Sequence, residues 1–261
     1  MHADTAIRRA PRRKKPRSRA TVTSVLGELL LTAGVVVMLF VAWQLWIGDI
    51  IIGAQNNEKG AELSQQWAQA PATEPPPLAT TEDGATEYTL PVLEHPADAE
   101  IFANMLIPRF GDDYNVNIAG GTSRARTLDK LGIGLYTQSK MPGEIGNLSL
   151  AGHRTTWGRP FNKIDKLKLN DAIVIETPEG WFTYRFRTLE YVTPTQADVL
   201  LDVPQMPEMQ ATERYITLTA CSPLYSLAER IVAYGVFEGF QPRSEGPPDS
   251  LAPIEVARPS L

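Results

Sequence analysis

The sequence predicts an all-β fold, a closed or nearly closed barrel of seven or eight strands with one or two short helices, preceded by a single transmembrane helix. Short runs of alternating apolar and polar residues recur from about residue 100 onward, and turn-forming residues separate them. One charge-free apolar stretch near the N-terminus is long enough to cross a bilayer. With 261 residues, 43% hydrophobic and 21% charged, the chain has room for one real core.

Taken in order, the chain starts with a basic tail, residues 1–23, where Arg8, Arg9, Arg12, Arg13, Lys14, Lys15, Arg17 and Arg19 face a single acid, Asp4. The whole chain is nonetheless at −5. The rest is therefore acidic, the basic end is a local device, and no nucleic-acid-binding body is indicated. Residues 24–48 are the expected membrane anchor. Residues 29–48 hold no charged side chain, and about twenty helical residues at 1.5 Å each span about 30 Å, the thickness of a bilayer core. Trp43 and Trp46 would sit at the far interface, with the basic tail cytoplasmic and everything after Asp49 outside. A cleaved signal peptide shares the basic end and the apolar run. The length of that run favours an uncleaved anchor, as do the bulky Trp43, Leu45, Trp46 and Ile47 where a cleavage site wants small residues. Either reading puts the domain outside the cytoplasm.

Residues 49–96 read as a stalk. Polar, helix-compatible residues 54–69 give way to Pro71, Pro75, Pro76, Pro77, Pro91 and Pro96, with few large apolar side chains to bury. The barrel is expected over 97–240, with strands at 100–107, 114–119, 148–153, 172–176, 181–192, 215–221 and 231–240. Turns are signalled by Gly120-Gly121, Asn170-Asp171 and Pro178-Glu179-Gly180. Phe161, Ile164 and Leu167 suggest one short helix face. Thr195 with Asp198 resembles a capping box opening a helix at 196–201. Residues 241–261 are proline-rich without periodicity and read as a disordered tail.

The chemistry centres on residues 215–237, which hold the only cysteine. In a strand, residues two apart share a face. Ile216, Leu218 and Ala220 then form an apolar face, and Thr217, Thr219 and Cys221 the opposite one. If the runs either side of 222–229 pair antiparallel, Cys221 and Arg230 lie at adjacent strand ends, where a guanidinium can hold an oxyanion. An exported chain with one cysteine forms no internal disulfide, so the thiol is left without a structural task. Of three histidines, His2 is in the tail and His95 in the stalk. His153 is the domain's single candidate, pointing away from the face of Leu148 and Leu150. Cys221, His153 and Arg230 make a nucleophile, a proton carrier and an oxyanion partner. Metal or phosphate chemistry is poorly supported: there is no His-Glu-x-x-His or paired-cysteine spacing, Asp112-Asp113 reads as a turn, and Gly120-Gly121 lacks a following Gly-Lys-Ser/Thr. No cofactor is expected. From the residues alone, acyl transfer, hydrolysis by a cysteine protease and a non-catalytic surface binding module all stay open.

The segment Pro142-Gly-Glu-Ile-Gly-Asn-Leu-Ser-Leu-Ala-Gly-His153-Arg, the segment Thr217-Leu-Thr-Ala-Cys221 and the downstream Arg230 together resemble the sortases, membrane-anchored cysteine transpeptidases of Gram-positive bacteria. The wording of Gly152-His-Arg-Thr-Thr-Trp-Gly-Arg-Pro-Phe161 is most similar to class E, the actinobacterial housekeeping type. The resemblance implies an eight-stranded sortase-type β-barrel with Cys221 as nucleophile, His153 as general acid/base and Arg230 as oxyanion or substrate-positioning group. It also implies secreted protein substrates with a C-terminal sorting signal, Leu-Ala-x-Thr-Gly rather than Leu-Pro-x-Thr-Gly, and an acceptor amine on a peptidoglycan precursor or a pilin lysine. Membrane lipid is met through the N-terminal helix, and the catalytic domain is expected to be monomeric. Leu135 stands where many relatives carry histidine, and Ala220 replaces a commoner threonine.

Overall fold

A computed structural model of the chain describes residues 21–43, 48–71, 74–80 and 86–252. Most of the basic tail, Trp46, parts of the expected stalk and the last residues of the tail lie outside the described residues. Two compact units divide at Gln44. The first contains α1, Val22–Ala42, which is entirely exposed and is opened by the Thr21 hydroxyl accepting from the Ser24 N–H at 3.3 Å. Its 21 residues are long and apolar enough to cross a membrane. The helix starts before the charge-free run and takes in Glu28, because helix formation asks only for backbone bonds and not for apolar side chains.

The second unit is built on a closed barrel. Its strands are β3 (Ile101–Leu106), β4 (Asn115–Gly120), β5 (Ile133–Leu135), β6 (Gly146–Gly152), β7 (Ala172–Glu176), β8 (Gly180–Val192), β9 (Arg214–Ser222) and β10 (Glu229–Pro242), after an outlying pair β1 (Leu78–Thr80) and β2 (Thr86–Tyr88). The order around the barrel is β10-β8-β7-β3-β4-β5-β6-β9, with β9 bonded back to β10. The β4–β5 and β6–β9 neighbours are parallel and the others antiparallel. Alternation fills the interior as expected: Leu148, Leu150, Ile216, Leu218 and Ala220 join Met105, Ile118, Phe182 and Tyr184 in one core. The opposite face is polar yet also buried. Thr217 donates to Asn147 Oδ1 at 2.8 Å, and Thr219 meets the Tyr136 hydroxyl at 3.0 Å. Loops cover the barrel wall there, and the Thr217 and Thr219 hydroxyls find partners, whereas the buried Ser149 hydroxyl has none among the described residues.

Four expectations need correction. Residues 49–96 are not a stalk throughout, because Gly48–Gln69 forms a helix, α2, packed on the barrel. The docking face is small and polar: Asn56 and Gly60 are buried, Gly60 O accepts from Asn104 Nδ2 at 2.9 Å, and the Ser64 hydroxyl donates to Glu176 Oε2 at 2.5 Å while accepting from Asn104 and Asn115. Such a face carries no apolar period for a sequence reading to detect. Residues 241–252 are docked and not disordered. Arg243 stacks on Trp181 at 4.6 Å, lies 5.7 Å from the Trp67 ring and bonds the buried Glu176 at 3.0 Å, and Leu251 packs against Ala172, Val174 and Trp181. The helix expected at 196–201 is a single 3-10 turn, Asp198–Leu200, without a side-chain cap, because the Thr195 hydroxyl turns to Thr193 instead. The other expected helix face also survives only as a turn, Ile164–Lys166, with Phe161, Ile164 and Leu167 all buried.

Gly60 gives a test of the α2 contact. A Cβ there would stand 2.2 Å from Asn115 O. Replacing a mid-helix glycine with alanine ordinarily stabilises by about 1 kcal/mol. Here Gly60→Ala is expected to reverse that sign and lower stability by about 1–3 kcal/mol through overpacking, read by chemical denaturation.

Candidate functional site

Every sequence-predicted site residue comes to one end of the barrel, where β6 and β9 stop and β10 begins. The expected β9–β10 pairing is observed with Arg230 directly opposite Cys221. The turn between them is shorter than expected, since the pairing extends to Ser222 and Glu229. His153 arrives from β6, the parallel neighbour of β9. Their pairing ends with Ala151 against Thr219, two residues short of His153 on one strand and of Cys221 on the other. All three residues line one open cavity of about 580 Å³, together with Thr122, Tyr225 and Leu227. Cys221 is a free, half-buried thiol.

Arg230 is held by its own turn. Its Nη1 donates to Glu229 O at 2.9 Å and to Leu227 O at 3.3 Å, so the guanidinium stiffens the segment that borders the thiol. A guanidinium carries five N–H donors, so three remain beyond these two bonds.

Residues 105–238, more than half of the chain, match the family model for the sortase domain. The chain belongs to the sortase family. It is 34% identical to sortase SrtE1 of Streptomyces coelicolor over 250 residues, covering 94% of this chain and 65% of that relative, so it spans just under two thirds of the relative's length. It is 32% identical to sortase SrtE2 of the same organism, covering 86% of this chain and 85% of that one. Among solved structures, sortase E1 from Streptomyces coelicolor with a tripeptide in the active site superposes with a TM-score of 0.55 at 37% identity, over 60% of this chain and 99% of that one. The SrtA sortase from Actinomyces oris superposes at 0.57 with 32% identity, over 69% and 94%. The class E character implied by the sequence motifs agrees with these relatives.

In this sortase one site residue was invisible to the sequence reading. Asp129 Oδ1 lies 2.7 Å from His153 Nε2, both side chains being largely buried. A carboxylate only accepts, so Nε2 carries the proton and Nδ1 is the nitrogen left free for chemistry. Asp129 sits just after the helical turn Arg124–Leu128 in the β4–β5 connection, its N–H bonded to Arg124 O at 2.9 Å, with Arg124 Nε 3.6 Å from its carboxylate. No spacing signal links Asp129 to a histidine 24 residues on.

A thiol that lines an open cavity reacts without unfolding. Native protein treated with iodoacetamide is expected to take up one carbamidomethyl group at Cys221, at a rate that denaturant raises by no more than about tenfold. Protection by several orders of magnitude would place the thiol in the core.

Proposed function

We propose that this sortase is a membrane-anchored cysteine transpeptidase that cleaves a C-terminal sorting signal between threonine and glycine and passes the protein to a cell-wall amine. One observation carries the reading: the barrel of a sortase brings its single cysteine, the domain's single histidine in the described residues and the arginine opposite the cysteine to one open cavity. The Cys221 thiol gives its proton to His153 Nδ1, the sulfur attacks the threonine carbonyl carbon, and Arg230 takes the charge that develops on oxygen. His153, oriented by Asp129, hands a proton from Nδ1 to the departing glycine nitrogen as the C–N bond breaks, leaving a thioester. An incoming amine then loses its proton to His153, attacks the thioester and releases the Cys221 sulfur.

The apolar lining from Leu128, Tyr136 and Leu227 suits a signal with a leucine and a small apolar residue ahead of the threonine. By likeness to class E that signal is Leu-Ala-x-Thr-Gly, with Leu-Pro-x-Thr-Gly as the comparison. The acceptor is the amine of a peptidoglycan precursor or a pilin lysine. With α1 in the bilayer, basic residues on the cytoplasmic side and the barrel outside, a secreted substrate and a lipid-linked acceptor share one surface with the enzyme, which raises their effective concentration. Closure leaves the barrel's own strands without a free edge to pair with a second copy, which fits a monomeric catalytic domain.

Mass spectrometry after mixing with a sorting-signal peptide tests the reading. A thioacyl adduct on Cys221 is expected, lost in Cys221→Ala, and a peptide–amine product when an amine is supplied. Hydrolysed peptide alone under saturating amine would mark a protease, and no adduct would mark a non-catalytic module. Turnover is expected to fall by at least about 100-fold in His153→Ala and Arg230→Ala, and by about 10- to 100-fold in Asp129→Asn, each with the fold intact by melting temperature.

A further inference from the structure

A second arginine reaches the same strand ends from within the wall. Arg154 follows His153 and is 6% exposed. Its Nη1 donates to the Ser222 hydroxyl at 3.3 Å, and its Nη2 lies 3.7 Å from Asp165 Oδ1, beyond hydrogen-bond length. Its buried Nε has no partner among the described residues. Asp165 is shared with Lys166 at 2.9 Å. Burial pushes that carboxyl up, but Lys166 and Arg154 more than offset it and hold it below the usual range, so it faces Arg154 as an anion. A buried guanidinium with so few of its five donors satisfied is a poor source of stability. Packing alone does not account for it.

Its position in the register does. The β6–β9 ladder ends at Ala151 and Thr219, so His153 and Arg154 lie past the last rung. His153 and Cys221 each stand two residues past that rung, and Arg154 and Ser222 three. Among the described residues, the bond from Arg154 to Ser222 is the one side-chain hydrogen bond that joins residues 152–154 to residues 220–222. The rest of the His153 loop is fastened elsewhere. His153 O accepts from the Phe161 N–H at 3.0 Å, Arg154 O from Asn162 Nδ2 at 2.9 Å, and Pro160 O from the Tyr114 hydroxyl at 3.1 Å. None of those contacts sets the distance to Cys221. Arg154 also stands between the site cavity and a second one of about 450 Å³ bounded by Tyr191, Leu224 and Glu229.

We propose that Arg154 is a positioning residue: by holding Ser222 it fixes the His153 imidazole against the Cys221 thiol where the backbone ladder has already ended. The proposal rests on the Cys221–His153 chemistry described above and extends it to a residue that touches neither substrate nor acceptor.

The test uses the full chain with Arg154→Gln, Ser222→Ala and the double substitution. Three quantities are read: kcat and KM on a sorting-signal peptide, the pH profile of Cys221 alkylation by iodoacetamide, and the melting temperature. In Arg154→Gln, kcat is expected to fall about tenfold or more with KM within about twofold. The alkylation profile changes, and the melting temperature is unchanged or raised because an under-paired buried charge is gone. Ser222→Ala moves kcat and the profile in the same direction, and the double variant loses no more than Arg154→Gln. A folded Arg154→Gln with wild-type kcat and alkylation profile would overturn the proposal, as would losses that simply follow a lowered melting temperature. If Arg154→Gln fails to fold, Ser222→Ala decides, since it removes one hydroxyl and leaves the guanidinium in place. Should the wild-type chain form no thioacyl adduct, the transpeptidase reading fails, while the alkylation profile still judges Arg154.

Discussion

The parallel pairing of β6 with β9 is the constraint on which the site depends. Parallel strands cannot be joined by a tight turn, so this pair exists only once the intervening β7, β8 and the long β8–β9 connection have gone around the barrel. A slip of one residue would exchange the inner and outer faces. Slippage is opposed inside by Leu148 and Leu150 lying beside Ile216 and Leu218, and outside by the Thr217 bond to Asn147 and the Thr219 bond to Leu150 O at 3.3 Å. Core packing therefore sets which residues meet at the strand ends. The antiparallel β9–β10 pairing adds Arg230 on the other flank of Cys221 by the same logic.

Around this frame the accessory segments are held by polar contacts more than by apolar burial. Glu176, at the end of β7 and almost fully buried, accepts from Ser64 of α2 on one carboxylate oxygen and from Arg243 of the C-terminal segment on the other. One carboxylate so fastens both the segment that enters the barrel unit and the segment that leaves it. A buried carboxylate is tolerable only with such partners. At the other end of α2, Gly53 and Gly158 approach closely enough that a Cβ on Gly53 would lie 3.1 Å from Gly158 O. The helix thus reaches the loop that begins at His153. Tyr114 closes the same region, and burial pushes its ionisation far above the ordinary tyrosine range, so its hydroxyl stays a donor to Pro160 O.

What was legible in the sequence followed period and punctuation. The period-2 runs located seven of the eight barrel strands. β5 was missed because Ile133-Gly-Leu135 is too short to alternate. The apolar stretch located α1, and proline content marked the linker, but α2 carries its docking face in Asn56, Gly60 and Ser64 and so looked like a solvated segment. The C-terminal segment was misread for a related reason. Its fastening is a guanidinium between tryptophan rings, and Trp67 and Trp181 are remote from Arg243 in sequence.

The sequence by itself singled out one cysteine and one histidine as candidates, because the expected barrel segment holds no other of either type, and Arg230 among many arginines because it flanks the cysteine loop. It also pointed to the barrel and to an apolar helix long enough to cross a membrane, since both rest on local pattern. Only the tertiary structure decided that His153 and Cys221 line one cavity, that Asp129 bonds the His153 ring and that Arg154 reaches Ser222. Those relations depend on the register between strands far apart in the chain and on loops that return to them, and neither leaves a local pattern in the residues concerned.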